Sequence, residues 1–204
     1  MIIGITGGTG CGKTTLLKEI EAMGGVILDC DAIYHRLLRE DPGLLKAIDA
    51  AFPGVVENGV LHRKKLGNLV FSDEKALMRL NAITHSAVRQ EVIRLLSAKP
   101  SLAAIDAIAL FEGGLAQLCD ITVAVTAPVE ARVQRLMIRD NIGEDYARSR
   151  IAAQHEESWF EDRCDLTLKN NGSREAFRRK CLAFLRSPDI MKEKRKGDDS
   201  NEYR

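Results

Sequence analysis

The tightest constraint on this chain is the run Thr6-Gly7-Gly8-Thr9-Gly10-Cys11-Gly12-Lys13-Thr14-Thr15 near its amino terminus. Gly7 to Thr14 has the spacing G-x-x-x-x-G-K-T, preceded by the apolar run Ile2–Thr6 and followed by a helical pattern from about Lys13 to Met23. A strand entering a glycine-rich turn that opens a helix is a phosphate cradle. The glycines let consecutive N–H groups turn inward, and the helix start adds unpaired amides and the positive end of a dipole at the same spot. Gly8, Thr9, Gly10, Cys11, Gly12, Lys13, Thr14 and Thr15 are therefore candidates for nucleotide binding. Lys13 supplies a full charge for the β- and γ-phosphates, and Thr14 a hydroxyl oxygen for Mg²⁺.

Beyond the loop the chain alternates between two periodicities. Ile2–Thr6, Val26–Asp29, Leu102–Phe111, Asp120–Thr126 and Asp165–Lys169 read as strands separated by helical patterns. The reading is an α/β fold with a parallel sheet of about five strands flanked by helices. Between residues 41 and 100 the pattern turns helical, with Leu44–Phe52, Arg63–Phe71 and Glu74–Leu96 amphipathic and Glu57-Asn58-Gly59 a turn, and no strand is expected. The domain reading is thus a nucleotide-binding core of residues 1–40 plus 101–188, a helical insertion at 41–100, and a mobile charged tail at 189–204.

With 45% hydrophobic residues and a formal net charge of +1 over 204 residues, nothing in the balance calls for nucleic acid or a membrane. Cys11, Cys30, Cys119, Cys164 and Cys181 include no C-x-x-C pair, which argues against a disulfide framework or zinc site. The expectation is a soluble, cytoplasmic protein, monomeric or a small homo-oligomer. Cys11, ahead of a helix start and beside Lys13, is either a thiol that favours the thiolate, alkylated before the other cysteines and protected by bound ATP, or a small residue chosen for fit.

Three further groups carry possible chemistry. Asp31 follows the second strand at a helix start, where it could be an N-cap or a base, with Asp29 facing the other way. Arg132, Arg135 and Arg139 share a helix face after the fourth strand and, with Arg148, Arg150 and Gln154, form either an ordinary surface paired with Asp140, Glu144, Asp145, Glu156 and Glu157 or, the favoured reading, an arginine-rich lid over residues 132–160 in which at least one of them acts. Arg63, Lys64, Lys65, His85 and Arg89 lie on the insertion as either solvated faces or acceptor ligands.

Taken together the segments resemble the dephospho-coenzyme A kinase family as far as about Leu185. The resemblance is carried by Thr6–Thr14, Asp29-Cys30-Asp31 with His35, Asn58–Gly67 including Arg63, Ile83-Thr84-His85 with Arg89, and Leu110-Phe111-Glu112. Gln134-Arg135, Arg139-Asp140, Arg150 with Gln154, Cys164-Asp165 and Asn170-Asn171-Gly172 continue it in order. It implies a P-loop NTPase-type three-layer fold and transfer of a phosphoryl group from ATP, with Mg²⁺, to the ribose 3′-hydroxyl of dephospho-coenzyme A. It further implies Asp31 as base; Lys13 and Arg139 in catalysis; and His35, Arg63, His85, Arg89 and Glu112 toward the acceptor. Arg139 would belong to the lid over ATP, and Asn171 would lie near its adenine. Two departures fall on the acceptor side: His85-Ser86 where the family commonly has His-Pro, and Ile108-Ala109-Leu110 where it commonly has Pro-Leu-Leu. The nearest rival is a nucleoside monophosphate kinase; a nucleotide-switch ATPase is a rival of another class.

Overall fold

The computed structural model describes residues 1–187 and Ile190. Five strands, β1 (Ile2–Thr6), β2 (Val26–Asp29), β5 (Ala103–Asp106), β6 (Ile121–Thr126) and β7 (Leu166–Lys169), form one sheet in the order β2-β5-β1-β6-β7. All neighbours in it are parallel. The central strand β1 is almost wholly buried, as expected of a strand covered on both faces. The order reverses direction at β1, so the carboxyl ends of β5, β1 and β6 open a crevice where such sheets place ligands.

Helices α1 (Lys13–Ala22) and α9 (Arg174–Leu185) cover one face, burying Leu16, Ile20, Phe177, Cys181 and Leu185 with Ile3, Ile5, Val123 and Val125 of the sheet. The other face is covered by α2 (Cys30–Glu40) and by α3 (Pro42–Ala51), α4 (Arg63–Val70) and α5 (Glu74–Leu96). Ile48, Val55, Leu66 and Val92 from this helical stretch share one apolar cluster with Leu28 and Ile105 of the sheet. The 41–100 segment is thus fixed to the sheet through a common core. Helices α6 (Val129–Asp140) and α7 (Glu144–Ala152) pair through a small cluster of their own, Val133, Leu136, Ala147 and Ile151. A short α8 (Glu157–Glu161) leads back to β7.

The structure corrects two expectations. The third strand, expected over Leu102–Phe111, ends at Asp106, and residues 108–114 form turns. Its apolar continuation, Ile108 to Phe111, is apolar because Leu110 is buried in the insertion-side cluster with Phe111 packed against it. The insertion, expected to hold no strand, contains a hairpin of β3 (Val56–Glu57) and β4 (Val60–Leu61). Its two turn residues, Asn58 and Gly59, both have positive φ, the backbone that a two-residue hairpin needs. The tail reading at 189–204 lies outside the described residues except for Ile190, which is buried against the α1/α9 side of the sheet.

Candidate active site

The glycine-rich loop leaves β1 and enters α1 at Gly12, which has φ 102° and caps the helix without a side chain. A β-carbon there would be strained by that φ and would also collide with Asn170 Nδ2. Asn170, 5% exposed, uses that nitrogen to donate to Cys11 O at 2.8 Å. Lys13 Nζ donates to Gly7 O at 2.9 Å and stands 4.0 Å from Asp106 Oδ1. Loop residues 8–14 line a cleft of about 620 Å³, together with Asp31, Asp106, Arg135, Arg139, Arg150 and Gln154. Thr15 lies in the first turn of α1, its N–H bonded to Gly12 O at 3.0 Å, and does not line the cleft.

The two aspartates at the start of α2 take different positions. The N-cap is Asp29, whose Oδ1 accepts the Ala32 N–H at 3.0 Å. Asp31, in the first turn, is exposed and borders the loop cleft. It also borders a second cavity of about 240 Å³ lined by Tyr34, Asn81, Thr84, His85 and Val88. Asp31, Ala107 and Ile108 are the residues common to both. One carboxylate therefore faces a polyphosphate cradle on one side and an apolar-walled cavity on the other.

Asp106 is the cleft residue that the sequence reading misses, because an apolar run on both sides places it in the middle of a longer strand. It is the last residue of β5, in register with Asp29 of β2 and Ile5 of β1. Burial pushes its carboxyl up to about 6; Lys13 works against this, and Asp29 and Asp31 add to it as like charges. An acid at the end of a strand beside the cradle strand was the available signal.

Other expected residues are distributed more widely. His85 joins Asp31 at the smaller cavity. Arg89 Nε donates to Gly114 O at 3.3 Å and braces the segment after β5. Arg63 Nη2 sits 3.5 Å from His35 Nδ1, and neither borders the two cavities. Glu112 pairs with His155 at 2.9 Å, bordering a separate cavity with Arg150 and Gln154. Asn171 Oδ1 accepts from Lys180 Nζ at 3.1 Å.

The arginines of the expected lid fall into two groups. Arg132 and Arg135 donate to carbonyls of the loop itself. Arg139 and Arg150 face the cleft and converge on Asp140 at 2.7 and 2.6 Å. Hydrogen bonding by Arg139 holds the Asp140 carboxyl down at about 2, with Arg150 acting in the same sense. The expected reactivity of Cys11 is also corrected: the thiol is 3% exposed, and burial pushes its pKa up despite Arg132 and Lys13.

A cradle built to grip a polyphosphate, with a carboxylate at the junction to a neighbouring cavity, belongs to phosphate-transferring enzymes of the P-loop kinase class. The family model for dephospho-CoA kinase matches residues 1–176, and the chain belongs to that family. Dephospho-CoA kinase of Geobacillus kaustophilus is 35% identical over 197 residues, covering 94% of this chain and 98% of its own length. A crystal structure of a Thermus thermophilus protein matches with a TM-score of 0.76 at 35% identity, covering 91% of this chain and 96% of its own. Dephospho-CoA kinase of Campylobacter jejuni shares the fold, with a TM-score of 0.63 at 24% identity over 90% of this chain and 94% of its own. The activity is ATP-dependent phosphorylation of dephospho-CoA to CoA. Among the described residues no helix is long and apolar enough to cross a membrane.

Proposed function

We propose that the γ-phosphoryl group of ATP is carried from the loop cleft to the ribose 3′-hydroxyl of dephospho-CoA, presented from the cavity bordered by Asp31 and His85. The observation that supports this most is the position of Asp31 on the wall common to both spaces. Asp31 orients the hydroxyl and takes its proton as the O–P bond forms and the bond to the β-phosphate oxygen breaks, with ADP leaving. Since charge spreads onto phosphate oxygens in such a transfer, most of the acceleration is positional and electrostatic. Lys13, the loop amides, Arg139 and Arg150 hold that charge. The 41–100 helices and the segment after β5 form the acceptor side, and α6 with α7 form the lid side.

The residues present fit Mg²⁺. Among the described residues no three His, Cys, Asp or Glu side chains are grouped as a metal cage. The cleft instead offers Thr14, Asp31 and Asp106, all hard oxygen donors. That suits a cation that takes most of its ligands from phosphate and water. Thr14 and Asp106 would hold it, and the bound ion would neutralise charge on the phosphate oxygens. An acceptor panel of dephospho-CoA, adenosine, nucleoside monophosphates and no acceptor, with ATP in a coupled assay, tests the reading. Turnover confined to dephospho-CoA is expected, and equal turnover on a nucleoside monophosphate would overturn it.

A further inference from the structure

Turning a loop's amides toward a phosphate turns its carbonyls outward, and each carbonyl then needs a donor. Gly7 O is met by Lys13 Nζ. Gly8 O and Gly12 O are met by the backbone N–H groups of Cys11 and Thr15 at 3.3 and 3.0 Å. The three between Gly8 and Gly12 are met by side chains from elsewhere in the fold. Arg132 Nε donates to Thr9 O at 2.9 Å, Arg135 Nη1 to Gly10 O at 3.0 Å, and Asn170 Nδ2 to Cys11 O. Gly8 has room for no side chain for the same reason: a β-carbon there would collide with the Arg132 guanidinium and lie 3.0 Å from Gln154 Oε1.

Arg132 is the unusual member of this set. It is 5% exposed, yet its hydrogen-bond partners among the described residues are both neutral: Thr9 O, and Gln154 Oε1 at 3.2 Å. The same Gln154 oxygen accepts the Thr9 N–H at 2.8 Å. Both backbone groups of Thr9 are therefore held from the α6/α7 side. A buried guanidinium with no carboxylate partner among the described residues is costly, and hydrogen bonds to neutral acceptors offset that cost in part, leaving an arriving anion to complete it.

We propose that Arg132 and Gln154 are a positioning pair for the nucleotide. Arg132 sits behind the loop rather than on the cleft wall; its counter-charge, acting across the loop, is the bound polyphosphate, and Gln154 fixes both Arg132 and Thr9 without neutralising the charge. This rests on residues 7–14 being the ATP site. Donation to Thr9 O also polarises the peptide unit it shares with the Gly10 N–H, making that N–H a stronger donor. An amide at position 154 is required because a carboxylate there would make a local ion pair. Such a pair would stabilise the empty protein and cancel the field that attracts phosphate.

Gln154→Glu adds a carboxylate against Arg132 and at the cleft wall, and it is read together with Arg132→Lys and Arg132→Met, which separate a counter-charge from a purely structural role. Binding of ATP and of inorganic tripolyphosphate is measured by titration calorimetry, and stability of the ligand-free protein by urea unfolding. The expected result is a ligand-free variant at least as stable as wild type that binds both probes at least about tenfold more weakly, with KM for dephospho-CoA at saturating ATP unchanged. Unchanged ATP affinity would overturn the proposal. Because a carboxylate at 154 also repels phosphate directly from the cleft wall, Arg132→Lys and Arg132→Met decide the matter, since lysine keeps the charge and both lose the fork. Lysine within about threefold of wild-type ATP affinity and methionine at least about tenfold weaker would support a counter-charge role. Equal losses would overturn it. Wild-type protein that binds neither probe would instead overturn the ATP-site reading itself.

Discussion

Asp106 keeps a carboxylate in a place that disfavours its charge, and Asp106→Asn should expose the cost. Its side chain is 20% exposed, 4.0 Å from Lys13, and its pKa is raised from 3.8 to about 6 chiefly by burial. At roughly 1.4 kcal/mol per pKa unit this corresponds to about 3 kcal/mol. The sign comes from proton affinity: the native state holds this proton more tightly than the unfolded chain does. The group therefore costs nothing below pH 3.8, takes away stability progressively as pH rises from 3.8 to about 6, and takes away its full share above that. Asparagine cannot ionise, so the stability of Asp106→Asn relative to wild type should climb through that window and then level off. Urea unfolding of both proteins, free of nucleotide and magnesium, from about pH 4 to about pH 8 measures it. Subtracting the two curves removes other titrating groups, such as Asp140, and leaves any constant offset from the lost Lys13 contact visible as such. A difference that stays flat with pH, or falls as pH rises, would refute the reasoning. The more stable variant is expected to lose about 10²-fold or more in turnover, as a residue retained for function at a cost in stability would.

Lys13→Ala should lower turnover about 10²-fold or more in the coupled assay, with ATP binding weakened as well, because Lys13 also shapes the loop through Gly7 O. Arg139→Ala should lower turnover about tenfold while leaving the melting temperature nearly unchanged, since its partner Asp140 keeps Arg150. A matching loss of melting temperature would mark Arg139 as a structural ion-pair residue instead. Cys11 should resist iodoacetamide in the native protein with or without ATP, its thiol being buried and its pKa raised. Rapid ATP-sensitive labelling in peptide maps would contradict that.

Strong local patterns are the legible part of this fold. The loop spacing, the apolar strands and the 23-residue helix Glu74–Leu96 stand out because one physical requirement dominates each. Where two requirements compete, sequence alone misleads. Ile108 to Phe111 looks like strand because burial and strand formation ask for the same residues, and only the packing under the insertion distinguishes them. That overrun hides Asp106. Asp29 and Asp31 are chemically alike and two positions apart, so the choice of cap depends on backbone geometry at Ala32 that no local pattern encodes. The arginine spacing locates a shared helix face but not its object: Arg132 and Arg135 meet outward carbonyls of a loop more than a hundred residues away in sequence. The neighbours of Cys11 in sequence show only their charges, whereas burial, a tertiary property, decides its pKa.

The measurement closest to the central claim is steady-state turnover of Asp31→Asn with ATP and dephospho-CoA, set beside its ATP affinity and melting temperature. With Asp29 as cap and Asp31 between the two cavities, kcat should fall about 10²-fold or more while ATP affinity and melting temperature stay near wild type. Near-normal turnover would contradict the account, as would a loss of activity that only tracks a loss of folding.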